Sequence, residues 1–189
     1  YHFIGIGGIG MSGIAQALIS SQSSVSGSDL VSNAHTKKLC KQGATLFNNQ
    51  SQRNIDTILE KYPNKRITAV ISSAIKKDNI ELSYCIEKKI TIKHRSQILS
   101  MIMNNYQSIG IAGTHGKTTT SCFIFTLLDL CTSNASAIIG GVLPRYGNNS
   151  FIKDTKYFVA ELDESDGSIS NYKTNLGILN NIDYDHCDY

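Results

Sequence analysis

Hydrophobic and polar positions alternate regularly along the first hundred residues. Short apolar runs are followed by longer stretches that have the spacing of amphipathic helices. Such alternation is typical of βα units, whose strands pair in parallel between layers of helices. The pattern therefore predicts an α/β fold with a parallel sheet. The predicted strands are 2–6, 25–28, 44–47, 67–74 and 90–92, and the predicted helices are 9–21, 33–42, 54–61, 79–88 and 96–103.

A polar stretch, NNYQ at 104–107, interrupts this pattern and predicts a linker. Beyond it, a loop at 113–120 leads into a helix that is predicted to run through Leu130. The stretch 140–154 is rich in Gly, Pro and Asn, which predicts a turn and an exposed loop. The sequence thus indicates two domains, 1–105 and 106–189. The predicted strands of the second domain are 108–112, 135–139, 156–162 and 175–182.

Three glycines follow the first predicted strand in the spacing G-x-G-x-x-G. They are Gly5, Gly7 and Gly10, and Asp29 comes nineteen residues after Gly10, where the second strand ends. This arrangement places a diphosphate on a helix N-terminus and an acidic side chain near a ribose, as in Rossmann-like dinucleotide-binding domains. On its own, the motif leaves an NAD-dependent oxidoreductase open.

A second glycine loop, GIAGTHGKTTT, stands between a predicted strand and a helix. Gly113 and Gly116 allow backbone N–H groups to turn towards phosphate oxygens, Lys117 supplies a positive charge, and the Thr118 hydroxyl can ligate Mg²⁺. The first glycine of the full Walker pattern is missing, because Ile111 occupies its position. A helix-capping turn with an incidental lysine is the alternative, but the strand–loop–helix context favours a nucleoside triphosphate site.

Acidic side chains follow the next strand of the second domain, in YFVAELDESDGS. Crowded carboxylates repel one another unless a cation compensates, so we expect a Mg²⁺ site here rather than a solvated acidic turn. Glu161 is the first choice as ligand because it lies nearest to the strand end. The carboxylates are Glu161, Asp163, Glu164 and Asp166, and the last strand delivers Asn181, Asp183, Asp185 and His186 just past its carboxyl end.

Composition narrows the function classes. The net charge is only +3, and the Lys and Arg side chains are dispersed, which argues against nucleic-acid binding. Five cysteines without C-x-x-C spacing argue against a disulfide framework and a zinc site. No apolar run is long enough to cross a bilayer. These features predict a cytoplasmic protein with no membrane partner, and its oligomeric state is left open.

Taken together, the motifs resemble those of the Mur ligases, the ATP-dependent amide-forming enzymes of peptidoglycan synthesis. GIGGIGMSGIA, SGSD, ISSAI, GTHGKTTT, ELDESDGS and NNIDYDH occur in the order and approximate spacing of that family, so the resemblance covers essentially the whole chain. It implies that the first glycine loop holds the UDP part of a sugar nucleotide. The substrates it implies are UDP-N-acetylmuramate, ATP and L-alanine, with Mg²⁺ as cofactor.

The resemblance also implies a role for particular residues. Lys117, Glu161 and His186 would be catalytic, and Thr118, Glu161 and His186 would hold Mg²⁺. His115 matches the family motif, with no role beyond shaping its loop. The implied UDP-sugar-binding residues are Gly7, Gly8, Ile9, Gly10, Met11, Ser12, Asp29, Ser72, Ser73 and Ala74. The implied ATP-binding residues are Gly113, Thr114, His115, Gly116, Lys117, Thr118 and Thr119.

Three alternatives to the alanine-adding ligase stay open. A related ligase recycles murein tripeptide onto the same UDP sugar, although Ser165 favours the alanine-adding branch. An NAD-dependent oxidoreductase would explain the first glycine loop and leave the second without a purpose. A non-catalytic nucleotide-binding module is the third. The family has three domains, so the resemblance implies that the second domain is incomplete here and that the C-terminal domain is absent. We therefore expect the 189 residues by themselves not to catalyse ligation.

Overall fold

The computed structural model describes residues 1–132, 134–163 and 167–184. His186, Glu164, Ser165, Asp166 and Asp185 lie outside the described residues. The chain forms two compact units, Tyr1–Arg95 and Ser96–Tyr189. This division falls about ten residues before the linker that the sequence predicts, because the helix preceding that stretch groups with the second unit. In the described parts of the chain, every helix is too short or too polar to span a membrane.

The first unit is a five-stranded parallel sheet with helices between its strands, in the order β3-β2-β1-β4-β5. The predicted parallel α/β architecture is confirmed. Its strands are β1 (His2–Ile4), β2 (Ser26–Ser28), β3 (Thr45–Phe47), β4 (Thr68–Ile71) and β5 (Thr91–His94), and its helices are α1 (Ile9–Ser20), α2 (Ala34–Lys41), α3 (Gln52–Lys61) and α4 (Ile80–Glu87).

The core of the first unit explains why the short strand Ser26–Ser28 can form from residues with little preference for strands. Phe3, Ile4 and Ile6 are fully buried, and the strand lies directly against them. A Cβ atom on Gly27 would lie 2.6 Å from Ile6 Cδ1 and 2.7 Å from the Phe3 carbonyl oxygen. Only glycine allows this approach, so sheet packing rather than local propensity fixes the strand.

A buried polar cluster joins the sheet of the first unit to its helices. The Glu81 side chain, on α4, is fully buried and accepts a hydrogen bond from Asn54 Nδ2 at 2.9 Å. It also accepts one from the Ser28 hydroxyl, and its Oε1 lies 3.1 Å from His2 Nε2. The buried charge is therefore surrounded by partners from β1, β2 and α3, as a buried carboxylate requires.

The second unit contains a mixed five-stranded sheet in the order β10-β6-β9-β7-β8. Among the strands of residues 107–132, 134–163 and 167–184, only the β7–β8 pair is antiparallel. The elements are α5 (Arg95–Met103), β6 (Gln107–Ala112), α6 (Lys117–Thr132), β7 (Ala135–Leu143), β8 (Asn148–Phe151), β9 (Tyr157–Glu161), a 3₁₀ turn (Ser168–Asn171) and β10 (Leu176–Leu179).

The prediction of an exposed loop at 140–154 is wrong. β7 continues to Leu143, and β8 pairs with it in a hairpin whose turn occupies 144–147. Packing explains the error, since the ring of Phe151 stacks on Phe125 with centroids 4.6 Å apart, and Asn149 is 1% exposed. Pro144 and Gly147 mark the turn, whereas Gly140 and Gly141 lie within β7 despite their weak preference for strands.

Candidate functional site

The first glycine loop lies at the carboxyl edge of the first sheet, where the chain order reverses. β1 is flanked by β2 on one side and by β4 on the other. The connections after β1 and β4 leave in opposite directions in such a sheet, which opens a crevice at the strand ends, and ligands bind there. Gly8 and Ile9 are exposed at this edge, whereas the side chains of Met11 and Ser12 are buried in α1.

Asp29 closes the first glycine loop from the end of β2. Its Oδ2 accepts a hydrogen bond from the Gly7 N–H at 2.7 Å, and its Oδ1 accepts one from the Val31 N–H at 3.0 Å. Asn33 supports the same loop by donating to the Gly7 carbonyl oxygen at 3.0 Å. A cleft of about 280 Å³ opens beside Asp29 and is lined in part by Lys37 and Phe47.

The N-terminus of α1 suits an anion. Its N-cap residue is Gly8, which has no side chain that could accept a hydrogen bond from the first N–H groups of the helix. No acidic residue lies in the first turn. Backbone N–H groups and the helix dipole favour negative charge at such an end. Arg95, which sequence reasoning missed, adds a cation, because a Cβ atom on Gly10 would lie 3.2 Å from its Nη1 atom. The sequence could have indicated Arg95, because this residue directly follows the strand β5.

Two further side chains stand at the ends of β4 and β5. Ser73 Oγ lies 3.2 Å from His94 Nε2, and Ser73 and Ala74 are exposed. The Ile75 N–H donates to the Ser72 carbonyl oxygen, which turns the chain immediately after β4. Met11 and Ser12 are buried in α1. The other residues predicted for the sugar nucleotide lie at this edge of the sheet, either exposed, half-buried or as part of the glycine loop.

The second glycine loop joins β6 to α6 in the second unit. Gly113 and Gly116 have φ values of +131° and +81°, which glycine adopts without strain. Lys117 Nζ donates to the Gly113 carbonyl oxygen at 2.6 Å and to that of Thr114 at 3.3 Å, so the ammonium lies over the loop. Thr119 is exposed two residues further along α6.

Glu161, the last residue of β9, lies beside the first turn of α6. The Thr118 hydroxyl lies 3.1 and 3.0 Å from its two carboxylate oxygens, and the Gly140 N–H donates to Oε2 at 2.8 Å. Cys122 lies one turn further along α6. Burial, and secondly the negative charge of Glu161, raise the pKa of its thiol above the ordinary value.

The Thr118 hydroxyl and the Glu161 carboxylate converge on one point and offer the oxygen ligands that Mg²⁺ prefers. These two residues therefore fit the predicted metal site. No group of three His, Cys, Asp or Glu side chains suitable for a metal occurs among the described residues. The remaining predicted ligand, His186, lies outside them, so the predicted set of three ligands stays a prediction.

The residues just after β10 hold the second glycine loop, and sequence reasoning did not foresee this. Asn181 Oδ1 accepts from the His115 N–H at 2.9 Å, and Asn181 Nδ2 donates to the His115 carbonyl oxygen at 3.0 Å. Asn180 Nδ2 lies 3.2 Å from the same oxygen and 3.0 Å from Thr120 Oγ1. The Asp183 N–H donates to Thr114 Oγ1 at 3.0 Å.

Replacing Gly140 with alanine tests the position of Glu161. The new Cβ would lie 2.5 Å from Glu161 Oε2, so the carboxylate must move away from Thr118. We expect the Mg²⁺ concentration for half-maximal nucleotide turnover to rise about tenfold, since a displaced ligand commonly costs that much. The matched control is Gly177→Ala in β10, where the nearest atom would be 3.7 Å away. Equal Mg²⁺ dependence in both variants would contradict this geometry.

Comparisons with known families agree with the two-unit architecture. The family model described as Mur ligase family, catalytic domain, matches residues 1–107. The model described as Mur ligase middle domain matches residues 111–189. Together they cover nearly the whole chain, and the residues between them, 108–110, lie within β6.

Similar curated proteins are named UDP-N-acetylmuramate–L-alanine ligase. The one from Prochlorococcus marinus subsp. pastoris is 56% identical over 189 residues, which are 100% of this chain and 40% of that protein. The one from Thermosynechococcus vestitus is 43% identical and is covered to 39% of its length. The chain therefore spans about two fifths of the length of these relatives.

Two solved structures share the fold. UDP-N-acetylmuramate-alanine ligase MurC from Thermotoga maritima superposes with a TM-score of 0.83 at 27% identity, over 98% of this chain and 42% of that one. UDP-N-acetylmuramate:L-alanyl-gamma-D-glutamyl-meso-diaminopimelate ligase from Neisseria meningitides gives a TM-score of 0.88 at 25% identity, over 99% and 61%.

Proposed function

Since the chain belongs to the Mur ligase family, we propose that it is part of an ATP-dependent ligase that joins L-alanine to UDP-N-acetylmuramate in peptidoglycan synthesis. The observation that carries the proposal is the convergence of Lys117, Thr118 and Glu161 at one glycine loop. The names of relatives up to 56% identical support the choice of substrates. We assign the enzyme to the cytoplasm, where ATP and UDP sugars are available.

The first unit would hold the UDP sugar. Its diphosphate would lie on the N-terminus of α1 at Gly7–Gly10, and the uridine would extend towards Asp29 or the turn at Ser72–Ala74. Asp29 supports this role because it already fixes the loop through Gly7. We propose that this domain spans residues 1–105 and that residues 106–189 form the first part of the ATP-binding domain.

The second unit would hold ATP and transfer its γ-phosphoryl group. The carboxylate of the muramyl group attacks that phosphorus and ADP leaves, which gives an acyl phosphate. The amine of L-alanine then attacks the acyl carbon, and inorganic phosphate leaves from the tetrahedral intermediate. Lys117 would neutralise charge on the transferring oxygens. Thr118 and Glu161, with His186, would hold Mg²⁺, which withdraws charge from the phosphate oxygens when bound.

The relatives are more than twice as long as this chain, and we propose that ligation needs the further segments that they contain. The 189 residues alone are expected to release no ADP in an alanine-dependent reaction. Measurable alanine-dependent ADP release by the purified chain would refute this. The enzymatic tests below therefore use the full-length protein that carries these residues.

Arg95 is expected to contribute to binding of the UDP sugar. Its guanidinium lies against the first turn of α1, so replacing it with alanine removes a cation from the proposed diphosphate site. We expect the Kd for UDP-N-acetylmuramate to rise about tenfold, as is typical for loss of a charge-assisted contact. Lys93→Ala, two residues earlier in β5, is the matched control. Equal affinity of both variants would remove Arg95 from the site.

Calorimetric titration of the full-length protein tests the assignment of the first unit. UDP-N-acetylmuramate should bind, NAD should not, and a tryptophan at Gly10 should abolish binding because the helix N-terminus becomes blocked. Binding of NAD without any response to the UDP sugar would instead support an NAD-dependent oxidoreductase.

The tripeptide-recycling ligase is the second candidate, and one observation favours it. The Neisseria ligase, whose name includes the tripeptide, has the higher TM-score of the two structures. Sequence identity favours alanine, because the relatives that are 42% to 56% identical are named for that amino acid. Offering both amino components to the full-length protein separates the two.

A further inference from the structure

The carboxamide of Asn181 pairs with both backbone groups of one residue in the second glycine loop. It accepts from the His115 N–H at 2.9 Å and donates to the His115 carbonyl oxygen at 3.0 Å. In a parallel ladder such as that of β10 and β6, the two main-chain groups of one residue bond to two different residues of the neighbouring strand. Here the Asn181 side chain satisfies both groups of His115 just beyond the last register pair, Leu179 and Ala112.

The main chain beside this pair continues the same contact. The Thr114 N–H donates to the Asn181 carbonyl oxygen at 3.3 Å, and the Asn180 N–H donates to that of Ala112 at 3.0 Å. A Cβ atom on Gly113 would lie 3.0 Å from the Asn181 carbonyl oxygen. The residues that follow β10 therefore hold the loop from Ala112 to His115. The side of the loop that faces Asn180 and Asn181 is called its outer side below.

This arrangement determines which N–H groups can face a phosphate. The N–H groups of Thr114 and His115 already donate hydrogen bonds to Asn181, so they are not free for a phosphate. The next N–H groups, at Gly116, Lys117 and Thr118, belong to the start of α6, where the Thr118 hydroxyl donates to Glu161. A loop that is fixed before the ligand arrives loses less conformational entropy on binding.

We propose that Asn181 is a positioning residue for ATP: its carboxamide fixes His115 so that the helix start, and not the outer side of the loop, presents its N–H groups to the phosphates. The proposal rests on the proposed function, because it assumes that this loop binds ATP. Without the carboxamide, the His115 N–H loses its acceptor, while the His115 carbonyl oxygen keeps Asn180 Nδ2 as a donor. The loop is then held less firmly, and part of the binding free energy is spent on ordering it.

The test compares three variants of the full-length protein. Asn181→Ala removes both bonds to His115. Asn181→Asp keeps the shape and the acceptor but loses the donor, so it covers the case in which the alanine variant does not fold. Asn175→Ala is the matched control, because Asn175 Oδ1 accepts from the Ser108 N–H at 2.9 Å at the opposite end of β10 and does not contact the loop.

Both Asn181 variants should raise KM for ATP about tenfold, while KM for the UDP sugar stays within about twofold. Asn175→Ala should lower the melting temperature and leave KM for ATP unchanged. If the Asn181 variants lose thermal stability while KM for ATP stays within about twofold of wild type, the residue is structural only and the proposal is wrong.

Failure of the proposed function gives a different result. A wild-type protein that binds ATP in a calorimetric titration but ligates no amino acid would remove the ligase assignment. The Asn181 proposal would then be decided by the Kd for Mg-ATP of the same three variants. A wild-type protein that does not bind ATP at all would overturn both.

Discussion

Replacing Lys117 with methionine is expected to reduce kcat for ADP release by the full-length protein about a thousandfold. Lys117 Nζ donates to the Gly113 carbonyl oxygen at 2.6 Å and to that of Thr114 at 3.3 Å, so the ammonium lies over the glycine loop. When ATP binds, the ammonium can exchange these carbonyl oxygens for phosphate oxygens. Methionine keeps the length and apolar character of the side chain but cannot neutralise the charge that develops during transfer.

The matched control is Lys173→Met. Lys173 is exposed and precedes β10, at the opposite end of the sheet from the glycine loop. Its kcat should stay within about twofold of wild type, because an isolated surface charge contributes little. Hydrogen exchange of α6 should be unchanged in both variants, which separates a catalytic loss from a folding defect. A Lys117→Met protein that retains a tenth or more of the wild-type rate would contradict the proposed role.

Replacing Glu81 with alanine is expected to lower the free energy of unfolding of the first unit by about 3–5 kcal/mol. The Glu81 carboxylate is fully buried and accepts hydrogen bonds from Asn54 and Ser28, with His2 also within hydrogen-bond distance. Alanine would leave these buried polar groups without their shared acceptor and would open a cavity. Burial and, secondly, Glu81 raise the pKa of the Cys85 thiol to about 12 in the wild-type protein.

Glu87→Ala provides the control, because Glu87 lies on the same helix, α4, and is exposed. Its effect should stay within about 0.5 kcal/mol. Denaturant-dependent hydrogen exchange of peptides that cover β1 and β2 reports on the first unit without interference from the second. A loss below about 1 kcal/mol for Glu81→Ala would show that the cluster relaxes or admits water, contrary to the tight packing described above.

Local patterns in the sequence predicted the elements whose residues carry their own signal. The apolar run around Phe3 and Val70 and the glycine loop before Lys117 are examples, and β1, β4 and α6 occur there. β8 was missed because its Asn residues disfavour strands, and only pairing with β7 and the stacking of Phe151 on Phe125 stabilise it.

The contacts that complete the site join residues far apart in the chain. Asn181 meets His115 across 66 positions, and His2 meets Glu81 across 79. No spacing rule relates such residues, because the sheet order alone brings them together. Glu161 is the exception, because its position at the end of a strand could be identified from the local sequence. In the structure this strand pairs with β6, which brings Glu161 next to Thr118.

The central claim is tested most directly by ADP release from the full-length protein supplied with Mg-ATP, UDP-N-acetylmuramate and either L-alanine or the murein tripeptide. The account predicts that ADP forms only when both the UDP sugar and L-alanine are present, and that the product is their amide. ADP formation with the tripeptide and not with alanine would move the protein to the recycling branch. No ADP formation with either amino component would contradict the ligase assignment.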